Sequence, residues 1–171
     1  MSNQKNKSVV ATSKVKKQIN STKKNKSKIK TTLLLVNPAI DTQAKFLYEL
    51  LNKRTSKNNI SNRTIKNWKD HLNFIDYNNP FSDWYIIEKN QQWVGSIYLT
   101  QRNEIGIYIA EEFRGVEIGK DALELLIQKN PRRFYYSNVN PDNEDLKKFF
   151  QKFFGKTNYR LVEMCYEIVQ K

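Results

Sequence analysis

One cysteine, Cys165, and one histidine, His71, occur among 171 residues. No intramolecular disulfide can form, and the Cys/His sets that hold zinc cannot be assembled. Long apolar stretches are also missing. The longest, Leu33 to Val36, has four residues, against the roughly 20 that a membrane-spanning helix needs. The N-terminus carries charge but no apolar stretch of about 7 to 15 residues, so a secretory signal is not expected. With only 5 glycines and 4 prolines, the chain is neither collagen-like nor wholly disordered. These absences point to a soluble protein of a reducing compartment such as the cytoplasm, without metal chemistry.

Acidic residues are absent from positions 1–30, which hold ten lysines and no arginine. The whole chain has 30 Lys+Arg and 17 Asp+Glu, so residues 31–171 keep 20 basic and 17 acidic groups, a net of +3. The sequence therefore divides into a Lys-rich tail, 1–30, and a near-neutral body, 31–171, of single-domain size. The tail has too little apolar area to offset the entropy of ordering it and is expected to be disordered. Ten like charges can bind phosphates through counterion release, yet no aromatic residue interleaves them for base stacking. Weak nucleic-acid binding and a solvating role both stay open for this segment.

The body reads as alternating strands and helices. Thr31 to Val36 is a short apolar run ended by Asn37-Pro38, which suits a buried strand. Asp41 is expected to cap a helix reaching about Asn52, with Phe46, Leu47, Leu50 and Leu51 on one face. Ile65, Trp68, Leu72 and Ile75 predict a second helix, broken at Asn78-Asn79-Pro80. Three segments rich in aromatic and β-branched residues follow: Trp84–Ile87, Trp93–Thr100 and Glu104–Ile109. Reversals at Lys89-Asn90 and Arg102-Asn103 make them an antiparallel meander. The period then changes to 3.6 from near Val116 to Lys129, followed by a strand at Phe134–Val139, a helix at Asp142–Phe154 and a last strand at Tyr159–Val169. Helices flanking a mixed sheet in this order make an α/β layered domain.

The most informative stretch runs from the strand ending at Ile109 through Arg114-Gly115-Val116-Glu117-Ile118-Gly119-Lys120, which opens a helix. Glycine at a helix start lets the backbone approach a ligand closely, and the free N–H groups with the helix dipole attract an anion such as a pyrophosphate. Two glycines before a helix also serve as a plain tight turn, so the spacing alone leaves both readings standing.

These residues resemble the GNAT superfamily of acyl-CoA N-acyltransferases. Its pattern, Q/R-x-x-G-x-G/A after the fourth strand, is matched by Arg114, Ile118 and Gly119. Val139-Asn140-Pro141-Asp142-Asn143, followed by Phe149-Phe150-Gln151-Lys152, is similar to the family's V-x-P-x-N...F-x-K stretch. Trp84-Tyr85-Ile86-Ile87, Val94-Gly95-Ser96-Ile97 and Glu104-Ile105-Gly106-Ile107 resemble its second, third and fourth strands. The resemblance spans about residues 31–168. It implies a mostly antiparallel central sheet with helices on both faces, and direct transfer of acetyl from acetyl-CoA to a primary amine. The acceptor is left open between protein or peptide amines and amino sugars.

By the same resemblance, acetyl-CoA is expected at Arg114, Gly115, Val116, Ile118, Gly119 and Lys120, with Asn143 and Phe150 nearby. Backbone N–H groups around Tyr108 and Ile109 would polarise the thioester carbonyl. Glu104 is the candidate base, with His71 as a second candidate because its unperturbed pKa, near 6.5, suits proton transfer. Trp84 and Tyr85 are candidate acceptor contacts. Three departures stand out: Glu117 occupies a glycine position of the motif, Phe150 falls where many members carry a tyrosine that acts as general acid, and Phe153-Phe154-Gly155 replaces the usual Gly-Phe end. They admit an alternative, a catalytically impaired module tethered by its tail to nucleic acid or another anionic partner.

Overall fold

The computed structural model describes residues 30–58, 67–77, 79–115 and 117–154. The tail up to residue 29, Ile65, Asn78, Val116, Gly155 and the strand expected at Tyr159–Val169 lie outside the described residues. Strand β1 (Thr31–Leu35), helices α1 (Asp41–Asn52) and α2 (Trp68–Asp76), and strands β2 (Phe81–Lys89), β3 (Gln92–Thr100) and β4 (Ile105–Ile109) come first. Helices α3 (Ile118–Lys129) and α4 (Glu144–Phe154) follow.

The four strands form one sheet in the order β1-β2-β3-β4, every pair antiparallel. The β2–β3 reversal takes two residues, Asn90 and Gln91, both at positive φ (53° and 62°). That twist matches the right-handed twist of the flanking strands, as a type I′ turn requires. Period-two alternation then sends neighbouring side chains to opposite faces. On one face Ala44 and Leu47 of α1 and Ile75 of α2 pack on Ile86. On the other, Ile118, Ala122, Leu123 and Leu126 of α3 and Phe150 of α4 pack on Tyr85, Ile87, Ile97, Leu99 and Ile105. Helices therefore cover both faces, as expected. Asp121 of α3 accepts from Thr31 Oγ1 at 2.8 Å and lies 3.7 Å from Lys89 Nζ, tying α3 to the β1–β2 end of the sheet.

Local details differ from the sequence reading where side-chain chemistry chose another partner. Asp41 is the first residue of α1 rather than its cap, and Ile40 holds the cap position without a side-chain bond. α2 starts at Trp68 because Asn67 Oδ1 accepts the Asp70 N–H at 2.9 Å. The strand expected over Phe134–Val139 contracts to a single parallel bridge, Glu104 to Tyr136. Phe134 and Tyr136 are 50% and 57% exposed, with no layer over them among the described residues.

Gly95, opposite Ile109, holds β3 and β4 together closely. A Cβ there would lie 2.5 Å from the Tyr108 carbonyl oxygen, a backbone atom that cannot rotate away. Gly95→Ala is expected to lower stability by about 1–3 kcal/mol, read from urea or thermal unfolding. An unchanged melting temperature would mean that the two strands part freely at this point.

Candidate active site

The outer edge of β4 is closed at its start and open beyond it. Ile105 N–H donates to the Tyr136 carbonyl at 2.7 Å, and Tyr136 N–H donates to the Asn103 carbonyl at 2.9 Å. These two bonds enclose Glu104 in the parallel bridge. Beyond it, no strand among the described residues pairs with this edge. Toward β3, Ala110 N–H donates to Val94 O and Thr100 N–H to Glu104 O, both at 2.9 Å. Antiparallel alternation therefore turns the even-numbered backbone groups of β4 to β3 and the odd-numbered ones, Ile107 and Ile109 included, to the open edge. Of the two donors expected from the sequence, Ile109 N–H lies on that edge, whereas Tyr108 N–H faces β3.

The loop after β4 continues the same edge. A short turn, Glu111–Phe113, leads to Arg114, whose Nε donates to the Ile109 carbonyl at 3.0 Å. Gly115 has φ 82°, and a Cβ added there would meet nothing within 4 Å. Glu117 caps α3 at φ 59°, ψ −1°, with no side-chain capping bond. This left-handed conformation explains why glycine is favoured at that motif position, and a non-glycine residue there costs roughly 1–2 kcal/mol. The first helical bond of α3 runs from Asp121 N–H to Glu117 O. The N–H groups of Ile118, Gly119 and Lys120 thus have no intrahelical acceptor and carry the positive end of the dipole. Ile118 is buried in the core. A Cβ on Gly119 would sit 3.2 Å from the Phe149 ring and 3.3 Å from Ile109 Cδ1, so this glycine seats the start of α3 against both α4 and β4. Lys120 is exposed and pairs loosely with Glu124 at 3.9 Å.

The connection after α1 spans the gap beside the open edge. Tyr108 Oη donates to the Lys53 carbonyl at 3.1 Å. Asn140 Nδ2 donates to the Ser56 carbonyl at 3.2 Å, and Asn143 Nδ2 to Asn58 Oδ1 at 3.4 Å. Residues 53–58 are thus tied to β4 on one side and to 140–143 on the other. The Tyr108 ring lies between two guanidinium groups' reach, Arg54 at 5.0 Å and Arg114 at 5.3 Å from its centroid.

The other expected site residues scatter. Glu104 is partly buried at the closed end of the edge, where Oε1 accepts from Asn138 Nδ2 at 2.9 Å. It also borders an open cavity of about 340 Å³ with Pro80, Thr100, Gln101 and Arg102. His71 is buried between α1 and α2, its Nε2 3.1 Å from the Ala44 carbonyl and its ring against Tyr48 and Trp68. That interface lies on the sheet face away from α3, and the structure does not bring His71 to the open edge. Trp84 and Tyr85 point to opposite faces, so they cannot line one pocket together. Trp84 Nε1 donates to Ser96 Oγ at 2.8 Å among Phe74 and Phe81, and Tyr85 Oη accepts from Asn130 under α3. Phe150 is buried in the core, and Asn143 Oδ1 caps α4 by accepting the Leu146 N–H at 3.1 Å. Arg54, which no sequence pattern singled out, is the addition the structure makes.

Residues 44–155 match the Acetyltransferase (GNAT) family. No curated protein sequence matches the chain. Among solved structures, a ribosomal-protein-alanine N-acetyltransferase from Brucella melitensis biovar Abortus superposes with a TM-score of 0.59 at 12% identity, over 83% of this chain and 100% of that one. The Microcin C7 self-immunity acetyltransferase MccE, solved with acetyl-CoA and AMP, gives 0.51 at 22% identity over 72% and 77%. A predicted acetyltransferase from Clostridium acetobutylicum, solved with acetyl-CoA, gives 0.52 at 14% over 82% and 96%. These similarities share the α/β layers and the sheet described above, and acetyl-CoA is the co-substrate of the family. With the match covering well over half its length, an open β4 edge running into a helix N-terminus, and helices on both sheet faces, the chain belongs to the GNAT family of acetyltransferases.

Proposed function

We propose that this protein transfers acetyl from acetyl-CoA to a primary amine, on a protein, peptide or small molecule, by direct transfer with both substrates bound. The observation that carries the reading is the continuity between the open edge of β4 and the N-terminus of α3. The donor set fits acetyl-CoA chemically. An anionic diphosphate suits the unpaired N–H groups of Ile118, Gly119 and Lys120 and the unobstructed backbone at Gly115, with Arg114 in the same loop. An amide-bearing arm suits the alternating N–H and C=O groups of a strand edge.

When bound, acetyl-CoA supplies an acetyl group activated as a thioester. The chain's own part is positional and electrostatic. Ile107 and Ile109 hold backbone N–H donors on the edge, fixed by the β3 pairing, where they can receive an acyl oxygen without reorganisation. The amine must be neutral to attack, and Glu104, in the bridge just before β4, is the base we assign, acting directly or through water. Phe150 brings no proton donor to the position where many members carry tyrosine. His71 keeps its place between α1 and α2.

Four measurements test the reading. Acetyl-CoA at about 100 times its dissociation constant should stabilise the full chain by roughly 2.7 kcal/mol; the absence of any melting shift at millimolar acetyl-CoA would overturn it. Glu104→Gln is expected to lower kcat by about 10²–10⁴-fold. His71→Asn should instead cost about 1–3 kcal/mol of stability and leave the pH profile of turnover in place; a lost alkaline or acidic limb would make His71 the base. Glu117→Gly removes the left-handed strain and should raise stability by about 1 kcal/mol. If its carboxylate also repels the diphosphate, acetyl-CoA should bind more tightly to the variant, and an unchanged affinity would limit its cost to the backbone.

A further inference from the structure

Arg54 carries a charge that no other described residue answers. Its Nε is fully buried and has no hydrogen-bond partner. None of the ion pairs among the described residues includes it, and Glu112, on the turn after β4, is paired with Lys53 at 3.4 Å. What Arg54 does touch is the face of Tyr108, at 5.0 Å from the ring centroid. Burial pulls its pKa down, with Tyr98 and Tyr108 acting in the other direction, yet a guanidinium stays charged throughout the physiological range. Burying a cation without a counter-ion is unfavourable, and proteins ordinarily pair such groups.

Its position gives that charge a use. Arg54 follows α1 in the connection that spans the gap beside the open edge, and its N–H donates to the Leu51 carbonyl at 3.1 Å. The hydrogen bond from Tyr108 to the Lys53 carbonyl fixes the preceding residue to β4. Alternation places Glu104, Gly106 and Tyr108 on one face of β4, the face turned to α1 and α2. Gly106 has no side chain, and a Cβ there would collide with the Tyr98 ring. A stretch of strand about 14 Å long thus has a carboxylate at one end, a flat aromatic floor in the middle and a guanidinium at the other. The charges are complementary to a molecule with an amine toward Glu104 and an anion toward Arg54.

We propose that Arg54 is the specificity-determining receptor for an anionic group, carboxylate or phosphate, on the acceptor amine. This rests on the acyl-transfer reading above and names the class of acceptor. A guanidinium presents a planar fork of donors suited to either oxyanion.

The test uses the full chain, acetyl-CoA and matched amines: hexylamine against ε-aminocaproate for the carboxylate, and glucosamine against glucosamine 6-phosphate for the phosphate. The anionic member of at least one pair should be acetylated with kcat/KM about ten- to a hundredfold higher, and the pair that shows it identifies the anion. Arg54→Gln should collapse that ratio toward one by raising KM for the anionic amine, with KM for acetyl-CoA little changed, and Arg54→Lys should restore part of it. A ratio that survives Arg54→Gln, a preference for the neutral amines, or a loss confined to KM for acetyl-CoA would each overturn the proposal. Should none of the four amines turn over, the melting shift with N-acetyl-ε-aminocaproate decides: protection of the wild-type chain but not of Arg54→Gln supports the anion receptor, and equal or absent protection refutes it. A missing melting shift with acetyl-CoA itself would instead sink the acyl-transfer reading.

Discussion

The parallel bridge between Glu104 and Tyr136 decides how the rest of β4 is used. Two hydrogen bonds, 2.7 and 2.9 Å long, clamp the start of the strand to the 134–139 segment, and past Ile105 the two chains separate. Each backbone group left unpaired away from water costs about 1–3 kcal/mol, and an unpaired strand edge recruits whatever complementary chain is available. Arg114 takes the Ile109 carbonyl, and no strand among the described residues faces the backbone groups of Ile107 or the Ile109 N–H. A bridge extended by two more residues on each chain would convert this edge to ordinary sheet and remove the donors. The shortness of the pairing is therefore the feature on which the site depends.

Tyr108 joins the two faces of that site. Its backbone belongs to the β3 pairing, its hydroxyl holds Lys53, and its ring takes Arg54 from the α1 side and Arg114 from the loop before α3. Arg114 in turn reaches back to the Ile109 carbonyl. A ring with two cations near it is polarised by both, each contact contributing about 0.5–1 kcal/mol where exposed and more when desolvated. The consequence is positional: the connection after α1 and the loop before α3 are referenced to the same residue of β4. A displacement of the strand end would move both Arg54 and the loop before α3.

Elements whose signal is local were legible in the sequence. The 3.6-residue spacing of Ile118, Ala122 and Leu126, and the alternation through Trp84–Ile87, locate α3 and β2 because burial on one face or two acts on every residue. The 134–139 segment was not legible as a bridge: its aromatic residues have strand propensity, but pairing depends on where β4 lies, which no local pattern contains. Trp84 and Tyr85 show the same limit, since adjacency in a strand places them on opposite faces. His71 was read by its chemistry as a proton carrier, whereas its environment is the Ala44 carbonyl and two aromatic rings. Arg54 left no trace at all in the sequence, because its significance lies in lacking a partner among the described residues, and partners are a property of the fold.

The loop before α3 shows that the two small-residue positions of its motif do different physical work. Position 117 needs a backbone at positive φ (59°), and its side chain is exposed. Position 119 leaves little room for a Cβ, because Phe149 and Ile109 would stand 3.2 and 3.3 Å from it and would have to give by a few tenths of an ångström. A larger residue at 117 adds conformational strain of roughly 1–2 kcal/mol and displaces nothing. A larger residue at 119 would lever the first turn of α3 away from β4, and with it the N–H groups that face the loop. The chain tolerates glutamate at the first position and keeps glycine at the second, which is the order expected if the geometry of the helix N-terminus matters more than the ease of the turn leading into it.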